Sequence, residues 1–348
     1  MGAQRIRSRL SGAAGAALRP YRRLTSRRVD MLLFVAVVIA ALTGLASWGV
    51  GTGWARWVTV VHGLAGLSIL ALAPAKIRGS VRTGLRRRRA GRWLSILLGL
   101  LVTATVVLGV LHSTGIWYGV GYWSALWTHV LAAAVLAVLV IWHIVSRTGR
   151  PRVADLDRRA VAGGGVALVA AAAVYGVQEV AVGGNRRFTG SHETASFSPL
   201  AMPTVTWLND RAPDVDARNW ELVVADEQVS IEDLRDRARP VEADLDCTGG
   251  WWSRQRWDAV PMSELMPGLD APTLEVTSLT GYSRLFPARD AENLYLAVGY
   301  DGELLRRGHG APVRLVAPGR RGFWWVKWVS SVQPVDRRWW LQSPFPLE

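Results

Sequence analysis

Hydrophobic and polar positions alternate differently in the two halves of the chain. The first half contains five apolar runs of about 20 residues, the length that an α-helix needs to cross a bilayer. The runs cover residues 31–50, 57–75, 93–112, 124–145 and 161–182. We therefore predict a basic N-terminal segment over residues 1–30, a five-helix transmembrane domain over residues 31–182, and a separate domain over residues 183–348.

The second half reads as a soluble α+β domain that is mostly β. Short β-like runs are separated by proline- and glycine-rich joints, and they cover residues 219–225, 273–279, 294–300, 312–318 and 323–335. Residues 230–238 predict a short helix capped by Ser230, and residues 260–268 predict another capped by Ser263.

Charge predicts how the helices cross the membrane. Residues 1–182 carry 22 Lys+Arg against 4 Asp+Glu, whereas residues 183–348 carry 19 against 23. The positive excess therefore lies among the apolar runs, which argues against a nucleic-acid partner. Because basic segments lie on the cytoplasmic side, we expect a multi-pass protein of the cell membrane with a cytoplasmic N-terminus and an extracytoplasmic C-terminal domain. Tryptophans at the outer ends of the runs are typical of an interfacial belt: Trp48, Trp54, Trp57, Trp117, Trp123 and Trp127.

The fifth apolar run is weaker than the others and follows Arg158-Arg159. A twin-arginine pair before such a run resembles the signal that exports folded proteins. Ordinary cytoplasmic anchoring by the two arginines explains the pattern equally well.

Four histidines lie in or at the apolar runs, where ionisable side chains usually have a function. His62 and His129 each lie five residues into a run that enters from outside, so both are expected at one depth near the outer face. Two imidazoles at one depth on neighbouring helices predict a bis-histidine haem b site. His112 is an alternative iron ligand, and His143 is assigned to packing. Histidines that merely hydrogen-bond between helices remain the alternative for the whole set.

Cys247 is the only cysteine, so it cannot form an internal disulfide. From the residue alone it is a small buried hydrophobe, a nucleophile or a metal ligand. Two basic, glycine-containing stretches, residues 186–193 and 306–328, suit a shared anionic ligand. They contribute Arg187, His309, Arg314 and Lys327. The alternative is that each arginine is solvated or paired with a nearby carboxylate.

Three motifs carry a family resemblance over residues 186–335. They are DCTGGWWSRQRWDAVPMSELM (246–266), TSLTGYSRLFP (277–287) and HGAPVRLVAPGRRGFWWVKW (309–328). This region resembles the molybdopterin-binding oxidoreductase domain of the sulfite oxidase superfamily, which includes periplasmic methionine-sulfoxide reductase catalytic subunits.

The resemblance implies a molybdenum–molybdopterin cofactor whose one protein ligand is the Cys247 thiolate. It implies that His309, Arg314 and Lys327 surround the pterin and its phosphate, and that Tyr282 contacts the substrate. Gly310, Thr248 and Arg187 complete the expected cofactor-binding set. Sulfite oxidases bind their anion with an arginine cluster that no motif locates here; the candidate substitutes are Arg254, Arg256 and Arg284.

Together the halves predict a membrane-bound molybdopterin oxidoreductase that transfers an oxygen atom to or from a small sulfur or nitrogen oxo compound. A membrane haem b would exchange its electrons with the quinone pool or another redox partner. Two alternatives stay open: the same enzyme with the helices as a plain anchor, and a non-catalytic cofactor-binding membrane protein.

Overall fold

A computed structural model describes residues 15–49, 51–78, 82, 86, 92–120, 123–146, 152–182, 186–206, 210–216 and 220–343. Much of the basic N-terminal segment and of the basic loop over residues 76–92 therefore lies outside the described residues. The chain divides into two compact units. The helical unit comprises Met1–Ser47, Trp54–Gly184 and Phe188–Gly190, and the sheet unit comprises Trp48–Gly53, Asn185–Arg187 and Ser191–Glu348.

The five apolar runs form five helices that are long and apolar enough to cross a membrane. Their bounds lie within five residues of those predicted. The helices are α1 (Ser26–Gly49), α2 (Arg56–Lys76), α3 (Arg92–Thr114), α4 (Ala125–Val145) and α5 (Arg158–Val182). The prediction of five apolar helices is confirmed.

Polar contacts tie the helices together at the end where the basic residues gather. Arg28 of α1 pairs with Asp157, which precedes α5, and Lys76 of α2 pairs with Asp30 of α1. Each pair gives a charge an opposite partner, which lowers the cost of holding it beside an apolar run.

A two-stranded hairpin, β1 (Gly119–Val120) and β2 (Trp123–Ser124), precedes α4. The Ser124 hydroxyl accepts a hydrogen bond from Trp127 N at 3.1 Å, so Ser124 is the N-cap of α4. This cap sets where α4 begins, four residues before His129.

The sheet unit contains two mixed sheets. In the first, β7 (Trp251–Pro261) pairs with β6 (Arg239–Asp246), β10 (Tyr295–Tyr300) and β3 (His192–Glu193). β10 also pairs with β11 (Glu303–Leu304) and β12 (Arg314–Val316).

The second sheet has the order β5-β4-β13-β8-β9. Its strands are β4 (Glu221–Val224), β5 (Glu227–Ser230), β8 (Thr273–Ser278), β9 (Ser283–Pro287) and β13 (Val329–Val335). Fully buried side chains from both sheets and their loops form the core, among them Trp257, Tyr300, Phe286, Leu222, Leu274, Leu296, Trp325 and Trp328.

Two local predictions for this unit have different outcomes. Helix α6 (Ile231–Arg237) is capped by Ser230 as expected, because the Ser230 hydroxyl accepts from Asp233 N at 3.1 Å. Ser263 was expected to cap the next helix and does not. That helix, α7 (Met262–Leu265), has Pro261 as its N-cap residue, so it begins two residues before the expected start and Ser263 lies inside it.

Candidate functional site

Cys247 lies in the turn that joins β6 and β7, the two longest strands of the first sheet. Cys247 N donates to Trp251 O at 2.8 Å, and Gly250 N donates to Cys247 O at 3.1 Å. Gly250 has φ +94°, a conformation that glycine adopts without a steric cost. The Gly249 amide donates to Cys247 Sγ at 3.3 Å, and Thr248 is buried beside it. The turn therefore holds the sulfur in a fixed position.

A second segment packs against the turn at Arg321 and Gly322. A Cβ on Gly322 would lie 3.0 Å from Cys247 Cα, so a glycine is needed for this approach. One Arg321 terminal nitrogen donates to Cys247 O at 3.3 Å. The basic stretch over residues 306–328 thus reaches the cysteine turn, although about 60 residues separate the two in sequence.

Asp246 joins the turn to two arginines. It is 1% exposed, accepts from Ser191 Oγ at 2.7 Å, and lies 3.3 Å from Arg187 Nε and 3.6 Å from an Arg321 nitrogen. Arg187 also donates to Asp244 at 2.6 Å. The charge of Arg187 is therefore balanced by two carboxylates, one of them next to Cys247.

Arg314 is a buried cation that packs against two aromatic rings. Its guanidinium carbon lies 4.9 Å from the Trp257 ring centre and 5.5 Å from that of Trp325. One terminal nitrogen donates to His309 O at 3.0 Å, and Nε has no hydrogen-bond partner within the described residues. Burial lowers the Arg314 pKa to about 10. No carboxylate of the described chain lies within ion-pair distance, so an anion would relieve this charge.

Lys327 adds a second poorly compensated cation. Its Nζ donates to Gly308 O at 2.6 Å and to Val205 O at 2.9 Å. Burial, and then the charge of Arg314, lower the Lys327 pKa to about 7. The ammonium has three N–H groups, so one remains for a ligand after these two bonds.

His309 is held on both sides of its ring. Tyr300 Oη accepts from Arg306 N at 3.2 Å and donates to His309 Nδ1 at 3.1 Å, because the proton of the neutral ring is on its other nitrogen. His309 Nε2 donates to Met202 O at 3.0 Å. Burial, followed by repulsion from Arg314, lowers the His309 pKa to about 4, so the ring is neutral near pH 7. The His309 ring therefore orients Met202 and Tyr300, and the backbone oxygen of His309 orients Arg314.

Gly310 brings Arg314 and Lys327 onto one side of the site. It has φ +110°, and a Cβ there would lie 2.9 Å from Arg314 Cβ and 3.2 Å from Lys327 Cβ. Any larger residue would push these two side chains apart.

The Cys247 thiol shares the electrostatic environment of these cations. Burial raises its pKa, while the nearby Lys327 and Arg321 oppose that rise. A buried thiol of this kind is a poor nucleophile without help. Metal coordination deprotonates a cysteine outright, and the surrounding positive charge would stabilise the thiolate.

Tyr282 and Arg284 form a neighbouring cluster. Tyr282 Oη donates to Phe323 O, next to Gly322, and accepts from Arg284 Nε at 3.3 Å. The Arg284 guanidinium lies 5.4 to 5.6 Å from the ring centres of Tyr282, Phe323 and Trp324.

The three candidate substitutes for a substrate-binding arginine differ in their surroundings. Arg254 pairs with Asp244, and Arg256 pairs with Asp301, both at the surface. Arg284 alone of the three is buried.

A separate candidate site lies in the helical unit. The ring centres of His62 and His129 are 6.0 Å apart, and the ring planes are at 87°. His62 Nδ1 donates to Ala40 O at 2.9 Å, and His129 Nδ1 donates to Thr105 O at 2.8 Å. These bonds leave Nε2 of each ring as the nitrogen able to bind a metal. His112, the alternative ligand, is buried near the C-terminal end of α3.

Among the described residues, no group of three or more His, Cys, Asp or Glu side chains could hold a metal ion.

Residues 209–340 match the family model of the oxidoreductase molybdopterin-binding domain. The molybdopterin-dependent oxidoreductase domain expected from the sequence motifs is thereby confirmed. The match contains Cys247, Tyr282, His309, Arg314 and Lys327, whereas Arg187 precedes it.

Two known proteins match part of the chain. The protein-methionine-sulfoxide reductase catalytic subunit MsrP of Burkholderia mallei is 30% identical over 117 residues, which are 27% of this chain and 35% of that protein. The chain therefore spans about a third of the length of that curated relative. The crystal structure of the sulfane dehydrogenase SoxCD from Paracoccus pantotrophus is 25% identical, with a TM-score of 0.34, over 36% of this chain and 40% of that one.

Several residues that shape the two sites were not identified from the sequence. The aromatic rings around Arg314 come from β7 and from the loop after β12. The carbonyl partners of His62 and His129 belong to Ala40 and Thr105, whose side chains give no signal of that role. The sequence did contain one sign of these partners, because a glycine follows each of them by four residues: Gly44 after Ala40 and Gly109 after Thr105.

Proposed function

We propose that the chain is a membrane-bound, molybdopterin-dependent oxidoreductase that transfers an oxygen atom to or from a small sulfur or nitrogen oxo compound. A haem b between His62 and His129 would carry its electrons. The observation that carries the proposal is the electrostatic proximity of a buried thiol, Cys247, to the buried cation Arg314 and the partly buried cation Lys327 inside the molybdopterin-binding domain.

The residues present fit the molybdenum cofactor. The Arg314 and Arg321 Nε atoms are buried without hydrogen-bond partners in the described structure, and Gly310 keeps Arg314 and Lys327 side by side. An anionic pterin phosphate would supply the acceptors that these cations need. When bound, the cofactor supplies the two-electron oxygen-atom transfer itself.

The protein would hold and orient this group. Cys247, the only cysteine of the chain, would bind molybdenum, and Gly249 and the turn fix the position of its sulfur. Arg314 and Lys327 would bind the anionic part of the cofactor. Reduction of a sulfoxide in this site consumes two electrons and two protons, breaks the S–O bond and releases water.

The residues of the helical unit fit a haem. With a metal–nitrogen bond of about 2 Å on each side, two imidazoles bound to one iron have ring centres about 6 Å apart. The distance in the structure is 6.0 Å. Hydrogen bonds from Nδ1 to backbone carbonyls are the usual support of metal-binding histidines.

A membrane location is supported by the five apolar helices and by the distribution of charge. Trp54, Trp57 and Trp123 are more than half exposed, as expected of side chains at a membrane interface. The proposed orientation has the N-terminus in the cytoplasm and the sheet unit outside. A quinone or another membrane redox partner would then exchange electrons with the haem.

Metal analysis and visible spectroscopy of the purified full chain test the two cofactors separately. We expect about one molybdenum per chain when the host makes molybdopterin, and reducible b-type Soret and α bands. Loss of the molybdenum signal would refute the enzyme proposal. A molybdenum-loaded protein without haem bands would leave the helices as an anchor.

Assays of that preparation with methionine sulfoxide, sulfite and related N-oxides would define the substrate. Turnover of at least one oxo compound is expected, and its absence with every compound in fully loaded protein would contradict the proposed reaction class.

A further inference from the structure

The two helical hairpins of the helical unit repeat one local arrangement. In the first, the His62 ring of α2 lies against Ala40 and Gly44 of α1. In the second, the His129 ring of α4 lies against Thr105 and Gly109 of α3. In both cases the residue whose carbonyl accepts from the ring lies four positions before the glycine, so the two residues share a face of their helix.

The backbone carbonyl in each arrangement accepts a bond from the ring. Ala40 O and Thr105 O lie within helices, where each carbonyl already accepts from the amide four residues later. A carbonyl oxygen has two lone pairs and can accept a second bond. The bonds from His62 Nδ1 at 2.9 Å and His129 Nδ1 at 2.8 Å therefore fix the edge of each ring against a helix backbone.

The glycines provide the space for this approach. A Cβ on Gly44 would lie 3.0 Å from His62 Cε1, and a Cβ on Gly109 would lie 3.1 Å from His129 Cε1. Two other glycines of these four helices are not close to either ring. A Cβ on Gly66 of α2 or on Gly99 of α3 would meet nothing within 4 Å. Gly44 and Gly109 are therefore tied to the positions of the rings and not to the helices alone.

We propose that Gly44 and Gly109, together with the carbonyls of Ala40 and Thr105, are positioning residues that set the two imidazole planes at right angles for an axial pair on haem iron. The inference rests on the proposed haem and adds the orientation of its ligands. The observation behind it is the angle of 87° between the two ring planes. Each ring is held by a carbonyl and a glycine of its own hairpin. The angle between the ring planes therefore depends on how the two hairpins pack together.

The angle has a spectroscopic consequence. Perpendicular imidazole planes leave two iron d orbitals nearly equal in energy, and low-spin ferric haem then gives an electron paramagnetic resonance spectrum with one very large g value. Parallel planes separate these orbitals and give three well-resolved g values. Axial-ligand geometry and its hydrogen bonds are recognised ways in which a protein tunes haem.

The test is electron paramagnetic resonance of the oxidised full chain in detergent, beside Gly44→Ala, Gly109→Ala and the control variants Gly66→Ala and Gly99→Ala. We expect the large-g signal in the wild type and in both controls. We expect the largest g value to shift downward in Gly44→Ala and Gly109→Ala, with the haem content per chain unchanged, because the added methyl group turns the ring.

The outcomes separate this inference from the haem proposal. Absence of b-type absorption bands in the wild type would overturn both. A wild type that binds haem but gives three well-resolved g values would overturn the perpendicular arrangement alone, even if a glycine variant failed to fold. Equal shifts in the test and control variants would overturn the assignment of Gly44 and Gly109.

Discussion

The helical and sheet units prepare their candidate sites by opposite electrostatic means. In the helical unit, His62 and His129 are held by backbone carbonyls, and the partners involved carry no charge. In the sheet unit, the buried Arg314 and the partly buried Lys327 lie near a thiol and have no carboxylate within ion-pair distance in the described structure.

The difference follows from the ligand that each site suits. Neutral histidine ligands need to be oriented, because a metal binds only the imidazole nitrogen that does not carry the proton. An anionic ligand needs charge and dry surroundings, since an electrostatic interaction strengthens when water is excluded. One site is therefore set by geometry and the other by charge, and variants should affect them independently.

The largest effect is expected from removing the thiolate. Mutation of a residue that only supports a metal ligand already lowers metal affinity or activity about 10–100-fold. Cys247→Ser removes the proposed ligand itself, so turnover should fall by more than about 100-fold. The reduced haem spectrum should not change, because the serine alters only the sheet unit. Turnover equal to that of the wild type would refute the molybdenum ligand.

The matching change in the helical unit is His129→Leu. We expect loss of the b-type absorption bands, since one axial ligand is gone, while an artificial electron donor still supports turnover at the sheet unit. His143→Leu is the control, because His143 is assigned to packing and should leave the bands intact. Bands retained in His129→Leu would assign the iron to another histidine, with His112 the next to test.

A smaller effect is expected from Arg314→Met, which keeps an apolar chain against the tryptophans and removes the charge. A hydrogen bond to a charged group contributes about 1.5–3 kcal/mol, so cofactor affinity should fall roughly 10- to 150-fold. Molybdenum content after dialysis measures the loss. Arg256→Met at the surface is the control and should retain the metal; similar loss in both variants would contradict a specific role for Arg314.

The smallest effect concerns pH. The Lys327 pKa is about 7 in the folded chain and near 10.4 when unfolded. The unfolded chain therefore holds more protons between these values, and the stability of the cofactor-free protein should rise with pH from about 7 to about 10. Thermal unfolding followed by tryptophan fluorescence measures this slope. It should flatten in Lys327→Met, and an unchanged slope would show that another group is responsible.

Helices were predictable because each apolar run is long and uninterrupted. The hairpin that carries Cys247 was not predicted, although it holds the two longest strands. Its strand β7 buries Ser253 and Gln255 between apolar positions, which hides the alternation. Both side chains donate to Ala195 O, so their burial is satisfied by a loop that is distant in sequence.

The site residues also divide into those that the sequence predicted and those that it did not. Cys247, Arg314 and Lys327 stood out because of residue type and motif, and their roles as ligands remain predictions. The exposure of a charge could not be read from the chain: Arg187 is paired with carboxylates, whereas Arg314 is not. Pairing depends on which strands become neighbours, and that is decided by the fold.

The packing of Arg314 against Trp257 and Trp325 has a consequence for conformational entropy. Immobilising a flexible side chain on binding costs about 0.5–1.5 kcal/mol. The two rings, whose centres are 5.7 Å apart, already confine the guanidinium in the folded chain. This ordering is completed when the domain folds, so a ligand that meets Arg314 finds a side chain with little freedom left to lose.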